Sequence, residues 1–113
     1  GSKGPNYGEE SVREACGVMQ SANLRQRVVV DCSHGNSNKD HTKQPGVFEN
    51  VVNQRVSGNE NIVGVMLESN INGGSQSLGN DPNSLEYGIS ITDACVEWTK
   101  TEEIILWADS QLN

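Results

Sequence analysis

The runs Val28-Val29-Val30-Asp31-Cys32-Ser33-His34 and Ile62-Val63-Gly64-Val65-Met66-Leu67-Glu68 decide the fold class. Each begins as a short, β-branched and uniformly apolar segment, too brief for a helix and without the alternation of a one-sided sheet. Strands of a parallel sheet covered on both faces have this signature. Between them, Ser33–Gln44 is polar throughout and holds both histidines of the chain. Pro45 suits the first turn of a helix with a face of Phe48, Val51, Val52, Arg55 and Val56, and Gly58 can close it in a left-handed conformation. Strand, polar loop, helix, strand is a βαβ unit, and the class is α/β.

Upstream, Gly1–Gly8 is rich in Gly, Pro and Asn and reads as a loop. Val12, Ala15, Cys16, Met19 and Ala22 then recur at helical spacing, with Ser11-Val12-Arg13-Glu14 as a capping box, which predicts a helix from about Ser11 to Asn23. Downstream, residues 69–86 are dense in Gly, Ser and Asn and predict a long loop of the kind that lines active sites. Tyr87-Gly88-Ile89-Ser90-Ile91-Thr92 alternates like a short strand and presents Asp93. Thr101 reads as the cap of a last helix with a buried stripe of Ile104, Trp107, Ala108 and Leu112, and Trp98 and Trp107 read as helix-to-sheet anchors.

Composition narrows the possible partners. Eight Lys and Arg against fifteen Asp and Glu give a net charge of −7, which leaves no basic surplus for a nucleic-acid backbone or an anionic membrane surface. No apolar run approaches the roughly 20 residues that span a bilayer, and Gly1-Ser2-Lys3-Gly4-Pro5 lacks the apolar core of a secretory signal. The expectation is a cytoplasmic protein. Three cysteines in 113 residues do not make a disulfide framework. Only 34% of residues are apolar, so part of the core is expected to come from residues outside this chain.

His34, Glu68 and Asp93 each follow a strand-like run, and in parallel α/β folds those ends converge on one face. One imidazole and two carboxylates suit manganese, iron, cobalt or zinc and leave coordination positions open. Spacing alone also allows Glu68 and Asp93 to be the acid and base of a glycosidase. Cys32, on the same ideal strand face as His34, is a further donor or a small buried apolar residue, and Cys16 is packing. Lys39, His41 and Lys43 form either a phosphate-facing cluster or a solvated turn. Neither GxxxxGK nor GxGxxG occurs.

The strings Asp31-Cys32-Ser33-His34-Gly35-Asn36-Ser37-Asn38-Lys39-Asp40, Gly64-Val65-Met66-Leu67-Glu68-Ser69-Asn70 and Tyr87-Gly88-Ile89-Ser90-Ile91-Thr92-Asp93-Ala94-Cys95 closely resemble the microbial, feedback-regulated type I branch of 3-deoxy-D-arabino-heptulosonate 7-phosphate (DAHP) synthase. The opening Lys3-Gly4-Pro5-Asn6-Tyr7 agrees. The resemblance implies a (β/α)8 TIM barrel that condenses phosphoenolpyruvate with erythrose 4-phosphate, releasing phosphate, as the first step of the shikimate pathway. It implies a divalent metal held by His34, Glu68, Asp93 and a cysteine of the family's N-terminal part. It further implies that Asp93 approaches the sugar hydroxyls, that His34 assists proton transfer, and that the full-length protein is a homo-oligomer.

On this comparison, residues 1–113 are the C-terminal segment of one barrel domain: helix 6, strand 7, helix 7, strand 8 and helix 8. The family's phosphate-clamping Lys and Arg residues belong to the N-terminal part. The chain departs from the family near Gly73, where the family has Glu, at Glu97-Trp98-Thr99 in place of Gly-Trp-Glu, and in its tail Asp109-Ser110-Gln111-Leu112-Asn113. The alternative is a non-catalytic, degenerate barrel remnant that acts only by association with other chains.

Overall fold

Parallel pairing of β1 (Val28–Asp31) with β2 (Ile62–Met66) forms the centre of the fold in the computed structural model, which describes residues 3–113. Gly1 and Ser2 of the expected N-terminal loop lie outside the described residues. Val28 pairs with Ile62, Val29 with Gly64, Val30 with Val65 and Asp31 with Met66, so Val63 is skipped. The irregularity puts Val65 beside Val30 in the core with Ile62, and sets Gly64 against the Val29 side chain.

The two strands are not covered on both faces as their composition predicts. Val29 is 65% exposed, Val63 47% and Met66 43%, while Val30 and Ile62 are buried. The difference is one of partners: all the helical cover lies on one side of a two-stranded sheet. The open arrangement extends the molecule to 52 × 33 × 19 Å, with a radius of gyration of 16.2 Å, against about 13 Å for a compact chain of this length.

Three helices surround the covered face. Helix α1 (Glu9–Ser21) starts two residues before the expected capping box, because Gly8 is its extended N-cap and Glu9 and Glu10 meet the positive end of its dipole. Val12 and Cys16 enter the core, Ala15 stays exposed, and Asn23 ends the helix at φ 56° while the Leu24 N–H donates to the Met19 carbonyl. Helix α2 (Gln44–Val56) has Pro45 in its first turn, and Gly58 follows its end at φ 105°. Its buried face is Gln44, Val47, Phe48, Val51 and Val52, and Val56 faces outward, 49% exposed.

Two further short strands, β3 (Ser69–Asn70) and β4 (Val96–Glu97), pair in parallel and deliver the chain directly into α3 (Trp98–Leu112). That pairing starts the helix three residues before the expected cap. Thr101 is therefore interior and buried, its hydroxyl donating to the Glu97 carbonyl at 3.0 Å and accepting from Ser69 Oγ at 2.6 Å. Ile104 and Ala108 are buried against the core and Trp107 packs partly on it, whereas Leu112 and Trp98 are more than half exposed and lie outside the core cluster.

Residues 71–95 are irregular apart from one 3-10 turn over Pro82–Ser84. The expected strand over Tyr87–Thr92 does not form; one isolated bridge joins Ser75 to Ser90, and side-chain amides replace the ladder. Gln76 donates from Nε2 to the Glu86 and Ile89 carbonyls and accepts the Glu86 N–H at Oε1. The Asn72 N–H donates to the Gly88 carbonyl at 2.9 Å. Gly88 has φ 80°, and a Cβ there would lie 2.9 Å from Ile71 Cβ. Among the described residues no helix is long and apolar enough to cross a membrane, and all three cysteines are free.

Two outcomes follow. The 113-residue chain is expected to associate at micromolar concentration through the open sheet face, read by sedimentation velocity, and a sharply unfolding monomer would contradict this. Gly88→Ala is expected to cost about 1–2 kcal/mol from backbone strain alone. It should speed amide exchange at Asn72 while leaving exchange in α2 unchanged.

Candidate metal centre

The turn after β1 is built from polar side chains that are themselves buried. Ser33 and Ser37 are 0% and 1% exposed, and the Ser33 carbonyl accepts the N–H groups of Asn36 and Ser37. A 3-10 turn over His34–Ser37 results, in place of the solvated loop that its composition suggests. His34 has φ 47°, a left-handed backbone that costs a non-glycine residue of order 1 kcal/mol, and its carbonyl accepts the Lys39 N–H at 2.8 Å. Asn36 ties this turn to the strand end and to the N-terminal segment: its Nδ2 donates to the Asp31 carbonyl, and its Oδ1 accepts the Asn6 N–H.

His34, Glu68 and Asp93 come together. His34 Nε2 lies 3.2 Å from Glu68 Oε1 and 3.6 Å from Asp93 Oδ2, and one donor atom from each residue falls within 4.8 Å of the others. Glu68 is clamped through its backbone, its N–H donating to the buried Gln44 Oε1 at 3.0 Å and its carbonyl accepting the Val96 N–H at 2.9 Å. Asp93 reaches the cluster from the irregular segment and not from a strand end. Paired Gly74–Cys95 backbone bonds fix the chain two residues beyond it.

Asp31 completes the constellation. Its Oδ1 accepts the Ser33 N–H at 2.8 Å and the Ser33 hydroxyl at 2.6 Å, and its Oδ2 lies 2.8 Å from His34 Nδ1. Burial opposes ionisation of Asp31, but the hydrogen bonds from Ser33 and His34 outweigh it and hold the carboxyl below its usual range. The Asp31 hydrogen bond, opposed by desolvation and reinforced by the charges of Glu68, Asp31 and Asp93, raises His34 above the ordinary imidazole range. A carboxylate on Nδ1 and two carboxylates around Nε2 is the donor chemistry of a histidine-carboxylate cation site, so the residues present fit a divalent metal.

Other candidates fall away. Cys32 is fully buried, its thiol directed to the Val30 carbonyl, and burial with the Asp31 charge pushes it up to about 12; it is core and not a donor. Burial raises the Cys95 thiol too, and the charges of Glu68 and Asp93 add to this against hydrogen bonding from Ser90. Lys39 and Lys43 are exposed, Lys43 sits 3.7 Å from Asp40, and Asp40 accepts from the Thr42 amide and hydroxyl, which makes a solvated turn. Asp31 and Gln44 are functional residues that strand-end spacing does not single out. The Asp-x-Ser spacing of a side-chain-capped turn could have pointed to Asp31, whereas nothing local marks Gln44.

The chain is similar to known proteins over most of its length. Residues 1–106 match the model of the DAHP synthetase I family. The chain is similar to the Tyr-sensitive phospho-2-dehydro-3-deoxyheptonate aldolase of Enterobacter agglomerans, 49% identical over 93% of this chain and 49% of that protein. It is 45% identical to the Tyr-sensitive enzyme of Escherichia coli (strain K12), over 100% of this chain and 32% of that protein. The solved phospho-2-dehydro-3-deoxyheptonate aldolase of Francisella tularensis SCHU S4 superposes with a TM-score of 0.91 at 37% identity, covering 98% of this chain and 32% of that one. The chain thus spans from a third to half of the length of these relatives, and over that span it belongs to the DAHP synthetase I family.

Proposed function

We propose that residues 1–113 are the C-terminal segment of a single DAHP synthase barrel domain, contributing helix 6, strand 7, helix 7, strand 8 and helix 8 of a (β/α)8 barrel. The order α1, β1, α2, β2, α3 with a parallel sheet supports this, as does the open sheet face. The activity is condensation of phosphoenolpyruvate with erythrose 4-phosphate to DAHP and phosphate, in a cytoplasmic homo-oligomer. The observation that carries it is the convergence of His34, Glu68 and Asp93 in a chain of this family.

In this reading His34, Glu68 and Asp93 hold manganese, iron, cobalt or zinc. When bound, the cation supplies Lewis-acid polarisation of the erythrose 4-phosphate carbonyl. The chain's own residues do the positioning. His34 keeps a proton on Nδ1 against Asp31 and offers the Nε2 lone pair to the site. Glu68 is oriented through its clamped backbone, and the exposed Asp93 carboxylate accepts hydrogen bonds from sugar hydroxyls.

Glu68→Gln and Asp93→Asn are each expected to weaken Mn(II) binding by about tenfold or more, read by electron paramagnetic resonance of free manganese. The 113-residue chain alone is expected to release no phosphate from the two substrates with manganese added, because the phosphate-clamping Lys and Arg residues that the family resemblance implies belong to its N-terminal part. Grafted in place of the matching segment of the Escherichia coli relative, it is expected to sustain turnover. His34→Ala in that chimera should then lose more than about 100-fold. A chimera that binds manganese but never turns over would favour the remnant reading.

A further inference from the structure

We propose that Asp31 is a positioning residue: it fixes the His34 ring with the proton on Nδ1 and so presents the Nε2 lone pair to the pocket bounded by Glu68 and Asp93. This rests on the reading of those three residues as metal ligands. Nothing in the spacing of the ligands requires a carboxylate at the last residue of β1, where the partner strand offers only the apolar Met66.

The geometry is specific. An ionised carboxylate only accepts, so its 2.8 Å approach to Nδ1 requires a proton there. The other carboxylate oxygen is committed to Ser33, whose backbone N–H cannot turn away and whose hydroxyl points the same way. Ser33 therefore fixes the carboxylate and the carboxylate fixes the ring. Ser33 Oγ also lies 2.9 Å from Nδ1, close enough to accept a second share of the same N–H.

The same arrangement makes Asp31→Asn informative. The amide oxygen must stay where the Ser33 N–H needs an acceptor, which puts the amide NH2 opposite Nδ1. An NH2 group only donates, so the ring is driven to the tautomer with its proton on Nε2, where the ligand lone pair has to be. The change is isosteric, at a side chain 37% exposed, and keeps the turn.

The test is magic-angle-spinning 15N spectroscopy of the metal-free, histidine-labelled chain at a pH where the ring is neutral, a method indifferent to association. The chain has two histidines, and His41→Asn assigns the His34 signals. The expected result is the Nδ1–H tautomer at His34, conversion to Nε2–H in Asp31→Asn, and Mn(II) affinity lower by about 10–100-fold in that variant, with unchanged far-UV circular dichroism. An Nε2–H tautomer in the unsubstituted chain overturns the proposal whether or not the variant folds. So does an Asp31→Asn chain that keeps both the Nδ1–H tautomer and full affinity. Tautomer conversion without manganese binding in either chain would uphold the role of Asp31 and sink the metal reading.

Discussion

Parallel pairing of β1 with β2 is the constraint on which everything else rests. Because the two strands run the same way, their C-terminal ends lie side by side, and adjacent strands are only about 4.8 Å apart. His34 and Glu68 each leave the sheet within three residues of a paired position, Asp31 and Met66 respectively, so their side chains meet. An antiparallel pair would have put them at opposite ends. The crossover through α2 that parallel pairing requires also supplies the core of Val47, Phe48, Val51 and Val52.

Core and site are joined through a few buried polar groups. Gln44 is the first residue of α2, is almost wholly buried, and spends its Oε1 on the Glu68 N–H. A shift of α2 against the sheet would therefore move a site carboxylate. Ser33 plays the matching part for His34 through Asp31. Buried hydrogen bonds of this kind are costly to break singly, so they hold direction better than exposed ion pairs do. Asp93 is held differently, in a segment stitched by Gln76 and Asn72 amides with little apolar cover, and it is the most exposed of the three.

The apolar residues are distributed with the same asymmetry. The buried ones are gathered on the helical side of the sheet, while Val29 and Met66 meet water. Leu106, Leu112 and Ile105 of α3 are likewise exposed. A parallel sheet of only two strands, extended in outline and covered on one face, has its polar chemistry finished and its apolar burial unfinished.

Local sequence determined the elements with strong local causes. The β-branched runs made β1 and β2, Pro45 and Gly58 bounded α2, and helical spacing marked Val12, Cys16, Ile104 and Ala108 as buried. It also named the three residues that converge, because strand ends in a parallel fold share a face. Tertiary structure decided the rest. Thr101 looked like a cap but became interior because β3 and β4, two residues each and invisible to periodicity, pair across 27 positions of chain. Asp93 joined the site through bonds from distant amides after the strand expected before it failed to form. Gln44 acquired its role from Glu68, a partner that no spacing rule connects to it, whereas Asp31 meets Ser33 and His34 within its own turn. Periodicity reports which side of an element avoids water; which oxygen faces which nitrogen depends on where other segments come to lie.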